Sequence, residues 1–305
     1  MKIKNRYLRA FVRERQFWLM LLPCLIWVGV FCYYPMYGVY MSFVRYIPGI
    51  PLFQSEFVGL QYFRDFFALT SSLQVVRNTL AISGLQLLFG FPAPILFALL
   101  LSEVRFKPVR RTLQTISYLP HFISWVVAAS LAFAFFSTEG LINELFMRLG
   151  VRDTAVSYLG QGKYYWPIIT GINIWKTIGW SSIIYLSSIA GIDSELYEAG
   201  EMDGLSRFGK VIYITLPCIL PTIVFLFVFN ISFILNAGFE QHLLIGNVQT
   251  REYWDVLDTY AYRFGIQMGR YSFAAAVSFM KGVVGIVLVF ITNSFVRRAF
   301  KLSLF

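Results

Sequence analysis

Charge is scarce in this chain. Asp, Glu, Lys and Arg make up 14% of its 305 residues, against 57% hydrophobic and 18% aromatic residues. A soluble domain needs more polar surface than that to stay in water, so an ordinary soluble fold is excluded. Histidine is nearly missing, with two residues, and the three cysteines, Cys24, Cys32 and Cys218, lie in apolar runs without metal-ligand spacing, where they read as small buried hydrophobes. The sequence has no Gly-rich loop ending in GKS or GKT, no paired His and carboxylate motif and no nucleophile elbow. No catalytic or metal site is therefore expected, and the chain does not read as an enzyme. Low-complexity runs and a separate soluble domain are lacking too, so an energy source has to come from another chain. A small-residue cleavage site is also missing: Gln16–Val44 is charge-free for far longer than a signal core and reads as a first membrane helix. The net charge of +10 is spread over short segments and forms no dense patch, which argues against nucleic acid as a partner.

What the sequence has in abundance is apolar length. Windows long enough for a bilayer, which takes about 20 residues, run charge-free over Gln16–Val44, Asn78–Ser102, Thr112–Thr138 and Val211–Phe239, and over Tyr271–Val296 with Lys281 as its one charge. The window Tyr164–Ile192, broken only by Lys176, adds a sixth. The expected fold is an all-α membrane protein, a single domain over 1–305 with six transmembrane helices and both termini on one side. Fifteen Lys and Arg residues fall on the side of the termini: Lys2, Lys4, Arg6, Arg9, Arg13, Arg15, Arg105, Lys107, Arg110, Arg111, Arg207, Lys210, Arg297, Arg298 and Lys301. Nine fall on the other side and two, Lys176 and Lys281, within the membrane, so the first side is expected to be cytoplasmic. Of the outer segments, Phe57–Phe67 and Leu141–Gly150 have helical periodicity, and Glu240–Arg270 could cover the outer mouth or dock a partner.

The longest polar interruption on the inner side is Leu196–Pro217, LYEAGEMDGLSRFGKVIYITLP. Asp193 or Ser194 can cap a short helix, Gly204 can end it in a left-handed turn, and Pro217 suits the start of the next helix because it needs no amide donor. Leu196, Ala199 and Met202 recur at helical spacing, which leaves a small apolar face for something outside the bilayer.

Polar residues within the windows are the other candidates. A lysine at mid-bilayer costs roughly 2.5–3.5 kcal/mol even on lenient scales. Asn173, Lys176, Thr177 and Trp180 share one helical stripe, which fits a sugar pathway in which amides bond hydroxyls and an aromatic ring stacks on the sugar face. Asn230, Phe233, Ile234 and Ala237 form a second face. Packing, snorkelling of Lys176 and a helix-to-helix bond from Asn230 are the competing uses, and the residues alone leave both open. For Lys281 a salt bridge or snorkelling is favoured over a substrate contact, and His121 reads as structural.

The spacing of Glu198, Ala199, Gly204, Ile214, Leu216 and Pro217, with Asp203 before the glycine, resembles the EAA loop of membrane subunits of binding-protein-dependent ABC importers, whose pattern is Glu-Ala-Ala, three residues, Gly, nine residues, Ile, one residue, Leu-Pro. Gly200 departs from it, standing where the second alanine is usual. GLQYFRDFF, YLPHFISWVV and GLINELFMRLG look like the carbohydrate-uptake, maltose-permease-like family, in particular its complex-oligosaccharide branch. The resemblance implies a multi-pass subunit of a bacterial cytoplasmic membrane. Its partners would be a second, usually non-identical permease, two cytoplasmic ATPase subunits that bind ATP and Mg, an extracytoplasmic solute-binding protein and a sugar or oligosaccharide, with no cofactor in this chain. It also implies that the loop is a cytoplasmic coupling helix between helices four and five, with Leu196, Glu198, Ala199, Gly200, Met202, Asp203, Gly204 and Arg207 at the ATPase contact. Sugar-contacting positions of the family fall on Lys176, Thr177, Trp180, Asn230 and Phe233, next to Asn173. Ile234 and Ala237 replace polar contacts there, a departure from maltose, and a cationic Lys176 would suit an acidic sugar such as a uronate. The alternative from another class is an ion-coupled secondary carrier or channel acting without an ATPase.

Overall fold

Long apolar helices account for most of the chain. The computed structural model describes residues 14–300. Lys2, Lys4, Arg6, Arg9, Arg13 and Lys301, which entered the charge count, lie outside the described residues. Among the described residues five helical runs are long and apolar enough to cross a membrane: Arg15–Phe43, Thr70–Ser102, Trp125–Arg148, Arg207–Ser232 and Tyr271–Arg298. The protein is an all-α membrane protein; its one strand pairing among the described residues joins Val44–Arg45 to Glu56–Phe57.

In chain order the elements are α1 (Arg15–Val28), α2 (Gln61–Ala68), α3 (Thr70–Leu85), α4 (Pro92–Ser102) and α5 (Lys107–Tyr118). Next come α6 (Trp125–Phe136), α7 (Leu141–Arg148), α8 (Gly162–Ala190), α9 (Ser194–Met202) and α10 (Arg207–Lys210). The last are α11 (Leu216–Ser232), α12 (Glu240–Ile245), α13 (Arg251–Trp254), α14 (Leu257–Tyr262) and α15 (Tyr271–Phe300). α8 is 29 residues long, about 43 Å at 1.5 Å per residue, and its Tyr, Trp and Ser content makes it less apolar than the five.

Three breaks depart from the windows read in the sequence. Thr112–Thr138 is not one helix: a 3-10 turn at Leu119–Phe122 separates α5 from α6, which Ser124 restarts by accepting a hydrogen bond from the Val127 amide at 3.3 Å. Pro120 has no N–H and its ring crowds the preceding turn, which favours a break at this point. The apolar helix expected near Pro217 begins at Arg207, because Ser206 caps it with a bond from the Gly209 amide at 3.2 Å. A π turn at Val211–Thr215 then widens the ladder just ahead of Pro217, where the proline's missing donor would otherwise leave a gap. The helix ends at Ser232, and the chain to Ala237 continues in irregular turns. Cys24, Cys32 and Cys218 are exposed on the outward surface of their helices. In a membrane helix an apolar residue finds its apolar surroundings in lipid as readily as in the core, so burial in the protein does not follow.

Packed cores hold both ends of the bundle, and two of them are built around α8. At one end Ile95, Ala98, Leu101, Tyr185, Leu186 and Ile219 join α4, α8 and α11. At the other, Ile82, Ala132, Tyr165, Ile169, Ile245, Trp254 and Val256 join α3, α6 and α8 to the segment after α11. That segment, α12 to α14, folds back over the helix ends as a cap. The Asn78 amide donates to the Glu252 and Asp255 carbonyls at 2.8 and 2.9 Å, Trp166 Nε1 donates to the Tyr253 carbonyl at 2.8 Å, and the Tyr165 hydroxyl lies 2.9 Å from His242 Nδ1.

Candidate functional site

Two regions hold the residues singled out from the sequence: the loop between α8 and α10, and a cleft along α8 and the end of α11. The loop is rigidly built. Asp193 caps α9 by accepting a hydrogen bond from the Glu195 amide at 3.0 Å. At the other end Gly204 has φ +75°, and its amide bonds the Glu201 carbonyl at 3.0 Å while the Leu205 amide bonds the Gly200 carbonyl at 2.9 Å. This pair is the Schellman arrangement, which requires a left-handed residue and so favours glycine at 204. Leu205 also folds back on the helix: a Cβ added to Gly200 would lie 3.1 Å from Leu205 Cδ1 and 2.7 Å from Ile214 Cδ1.

Gly200 is buried. It lies at the joint between α9 and the helix that follows, turned toward its own chain, and the expectation that it forms part of the partner contact surface is corrected accordingly. The spacing from Gly200 to Ile214 has a physical reason, since these two residues pack on each other across the turn. Tyr197 Oη and Thr215 Oγ1 hydrogen bond at 2.9 Å, and Lys210 pairs with Glu201, so α9 is fastened to the next helix at three points. The Glu201 carboxyl is held below the usual carboxylate range by the hydrogen bond and charge of Lys210. The remaining predicted residues point outward. Leu196, Glu198, Ala199, Met202, Asp203, Gly204 and Arg207 are all exposed, and Met202 is the extreme at 89%. Phe208, also exposed, was missed in the sequence although it follows Arg207 directly in the chain.

Along the cleft, two cavities adjoin. One of about 570 Å³ is lined by Ser83, Gln86, Asn173, Asn230, Phe233 and Asn236, among others; one of about 1260 Å³ is lined by Gln86, Thr177, Trp180, Ser181 and Asn230, among others. Gln86 and Asn230 border both, so the two cavities share amide groups along one path, the larger being walled mainly by apolar side chains such as Phe91, Ile184 and Phe229. Asn173, Thr177, Trp180, Asn230 and Phe233 are thus brought together as the sequence stripes predict, although Phe233 stands just past the end of α11. Asn230 uses one N–H on the Leu226 carbonyl at 2.8 Å, which leaves its second N–H and its oxygen for the cavity. Trp180 is stacked on His121 with centroids 4.6 Å apart and planes 2° from parallel, and Phe122 meets it edge-on.

Lys176 is the exception and the chief correction. It is buried, and Nζ donates to the Pro120, His121 and Ile123 carbonyls, the first two at 3.3 and 2.9 Å. All three ammonium protons serve the carbonyls exposed by the break between α5 and α6, and Lys176 lines neither cavity. It does not snorkel either. The reading of Lys176 as a sugar contact, and the acidic-sugar argument built on it, are therefore withdrawn. Lys281 pairs with Asp258, as expected from its depth.

Gln86 was overlooked. It opens a π turn over Gln86–Gly90, its Oε1 is buried without a hydrogen-bond partner, and a Cβ on Gly90 would lie 2.1 Å from its Nε2. The signal was present in the sequence as an amide inside an apolar window four residues before a glycine. Such π turns occur often at functional sites.

Residues 90–301 match the family model described as binding-protein-dependent transport system inner membrane component. Protein LplB of Bacillus subtilis (strain 168) is 42% identical over 96% of this chain and 92% of that protein. The polygalacturonan/rhamnogalacturonan transport system permease protein YteP of the same organism is 38% identical over 97% of this chain and 92% of that protein. Among solved structures, one chain of a bacterial alginate ABC transporter in complex with alginate pentasaccharide-bound periplasmic protein superposes with a TM-score of 0.88 at 40% identity, covering 97% of this chain and 99% of that one.

Proposed function

The chain belongs to the binding-protein-dependent transport inner membrane component family, as the permease component of an ABC-type sugar or oligosaccharide import system, and from that premise we propose how it works. It is a transport component and not an enzyme; ATP hydrolysis is the task of ATPase subunits. In our reading α8 completes a set of six membrane-spanning helices with both termini in the cytoplasm, and α9 is the coupling helix seated on a partner ATPase. The observation that carries this is the combination of an outward apolar face, Leu196, Ala199 and Met202, with three-point attachment of α9 to the following helix.

A docked but loosely hinged helix would absorb a push. A helix fastened through Gly200 against Ile214, Tyr197 to Thr215 and Glu201 to Lys210 passes the push on. The loop also joins the two helices that wall the cleft: α8 carries Asn173, Thr177 and Trp180, and the run Arg207–Ser232 carries Asn230. ATP-driven displacement of α9 therefore shifts one wall against the other, and the sugar's binding energy differs between the two arrangements, as any coupled transport step demands. Amides at Gln86, Asn173 and Asn230 hydrogen bond sugar hydroxyls and Trp180 supplies an apolar surface. Partners are a second, non-identical permease and an extracytoplasmic solute-binding protein. One relative is named for polygalacturonan/rhamnogalacturonan transport and another is an alginate transporter, which supports an acidic oligosaccharide here.

The docking is tested by Met202→Cys in the assembled transporter, with a single cysteine placed in the cleft of the ATPase. A disulfide between the two chains is expected, formed at different rates with and without ATP. Failure to cross-link in either state, with the complex intact, overturns the assignment of α9.

A further inference from the structure

Lys281 lies within the apolar helix α15, and its ammonium is paired with the carboxylate of Asp258 on α14. The pair is sheltered but not sealed: the lysine side chain is 11% exposed and the aspartate 26%. Both line a third cavity of about 940 Å³, together with Ser232, Phe233, Asn236 and Gly282. Phe233 and Asn236 also line the smaller of the two cleft cavities, so the ion pair sits directly beside the path already described. Gly282 keeps the adjoining wall open, since a Cβ there would meet nothing within 4 Å. Across the three cavities Lys281 is the one cation among the lining residues, and every other polar contributor except Asp258 is neutral.

We propose that Lys281 binds the carboxylate of an acidic sugar residue during passage, with Asp258 as the anion it exchanges. A cation in a low-dielectric setting has to keep a counter-charge, because leaving one member of such a pair alone is far more costly than the pair is stabilising. A uronate carboxylate entering past Phe233 and Asn236 can take the place of Asp258 on the ammonium, charge for charge. A neutral sugar cannot, and it meets a closed pair. Selection for charge thus lies in the exchange itself. Because Asp258 is part of the cap, the same exchange opens one polar tie between α14 and α15, which stay joined through Leu257, Tyr260, Phe273 and Val277. The competing account is a static tie between cap and helix with no ligand contact.

The inference rests on the importer reading above and goes beyond it in naming the charged contact. The test uses the whole transporter, with its ATPases and binding protein, in proteoliposomes supplied with an oligouronate. The variant Lys281→Gln/Asp258→Asn removes the pair without orphaning a charge, and Lys281→Asp/Asp258→Lys reverses it. The expected result is that both assemble and retain ATP hydrolysis stimulated by the loaded binding protein, while oligouronate uptake falls at least about tenfold in each. Wild-type uptake in the neutral double variant, or restored uptake in the reversed pair, overturns the proposal and leaves a static tie. Absence of ATP-driven uptake of any oligosaccharide by the wild-type complex would instead overturn the importer reading itself.

Discussion

A lysine held inside a helical bundle must have acceptors for all three of its protons, and Lys176 finds them in the turn broken by Pro120. Removing the ammonium would leave carbonyls without donors, at about 1–3 kcal/mol for each one that stays buried. Lys176→Met is therefore expected to lower the thermal unfolding temperature of the purified transporter while leaving its preference between an oligouronate and the carboxyl-reduced form unchanged. Unaltered stability with a selective loss of oligouronate uptake would return Lys176 to the pathway. At this scale the sequence was half legible. The stripe rule grouped Asn173, Thr177 and Trp180 correctly because they recur at i, i+4 and i+7, whereas Lys176 sits at the stripe's edge, where a neighbouring helix decides which way it turns. That neighbour's break depends on Pro120, which is far away in sequence, and no periodicity links the two. Gly200 was obscure for a similar reason: its partner Ile214 lies on the far side of a turn.

Among the elements, the cap from α12 to α14 has its own titration. His242 is fully buried, and loss of hydration pushes its pKa down from 6.5 to about 4, against a smaller opposing effect from the hydrogen bond to the Ala237 carbonyl. The imidazole is neutral in the folded cap: Nε2–H donates to that carbonyl at 3.2 Å and Nδ1 accepts from Tyr165. Because the folded value lies below the unfolded one, the stabilising contribution is complete above about pH 6.5 and is lost as pH falls toward 4. The full effect is about 3 kcal/mol. Hydrogen exchange across residues 240–262 is predicted to rise beyond its intrinsic pH dependence on acidification through this window, and His242→Gln, whose amide can make both bonds without gaining a proton, is predicted to remove the rise. Equal behaviour of the two proteins would contradict it. The sequence left open whether this segment covers the mouth or docks a partner; its fold back onto Asn78, Trp166 and Tyr165 depends on side-chain bonds between distant parts of the chain, which composition does not encode. The turn at Gly204 and the cap at Asp193 were legible because each is a local rule satisfied within a few residues.

For the molecule as a whole, the polar loop and the polar cleft are two ends of one mechanical connection. Between them lies a helical run from Arg207 to Ser232, 26 residues or about 39 Å long, fixed to α9 at its start and contributing Asn230 near its end. The all-α membrane class followed from apolar length and scarce charge, which are properties of the entire sequence and survive any local error. Helix ends did not follow, because Pro120, Ser206 and Pro217 redistribute them through caps and π turns that a hydropathy window averages away. The central claim is that α9 delivers ATP-derived force to the cleft. It is tested most directly by oligosaccharide uptake into proteoliposomes containing the complete transporter, with wild-type chain or with Glu198→Lys. Glu198 is exposed, so the variant is expected to fold and insert in the membrane normally. The account predicts uptake that requires ATP in the wild type and is lost in the variant together with stimulated ATP hydrolysis. Uptake that proceeds on an ion gradient without ATP, or that is unchanged by Glu198→Lys, would contradict it.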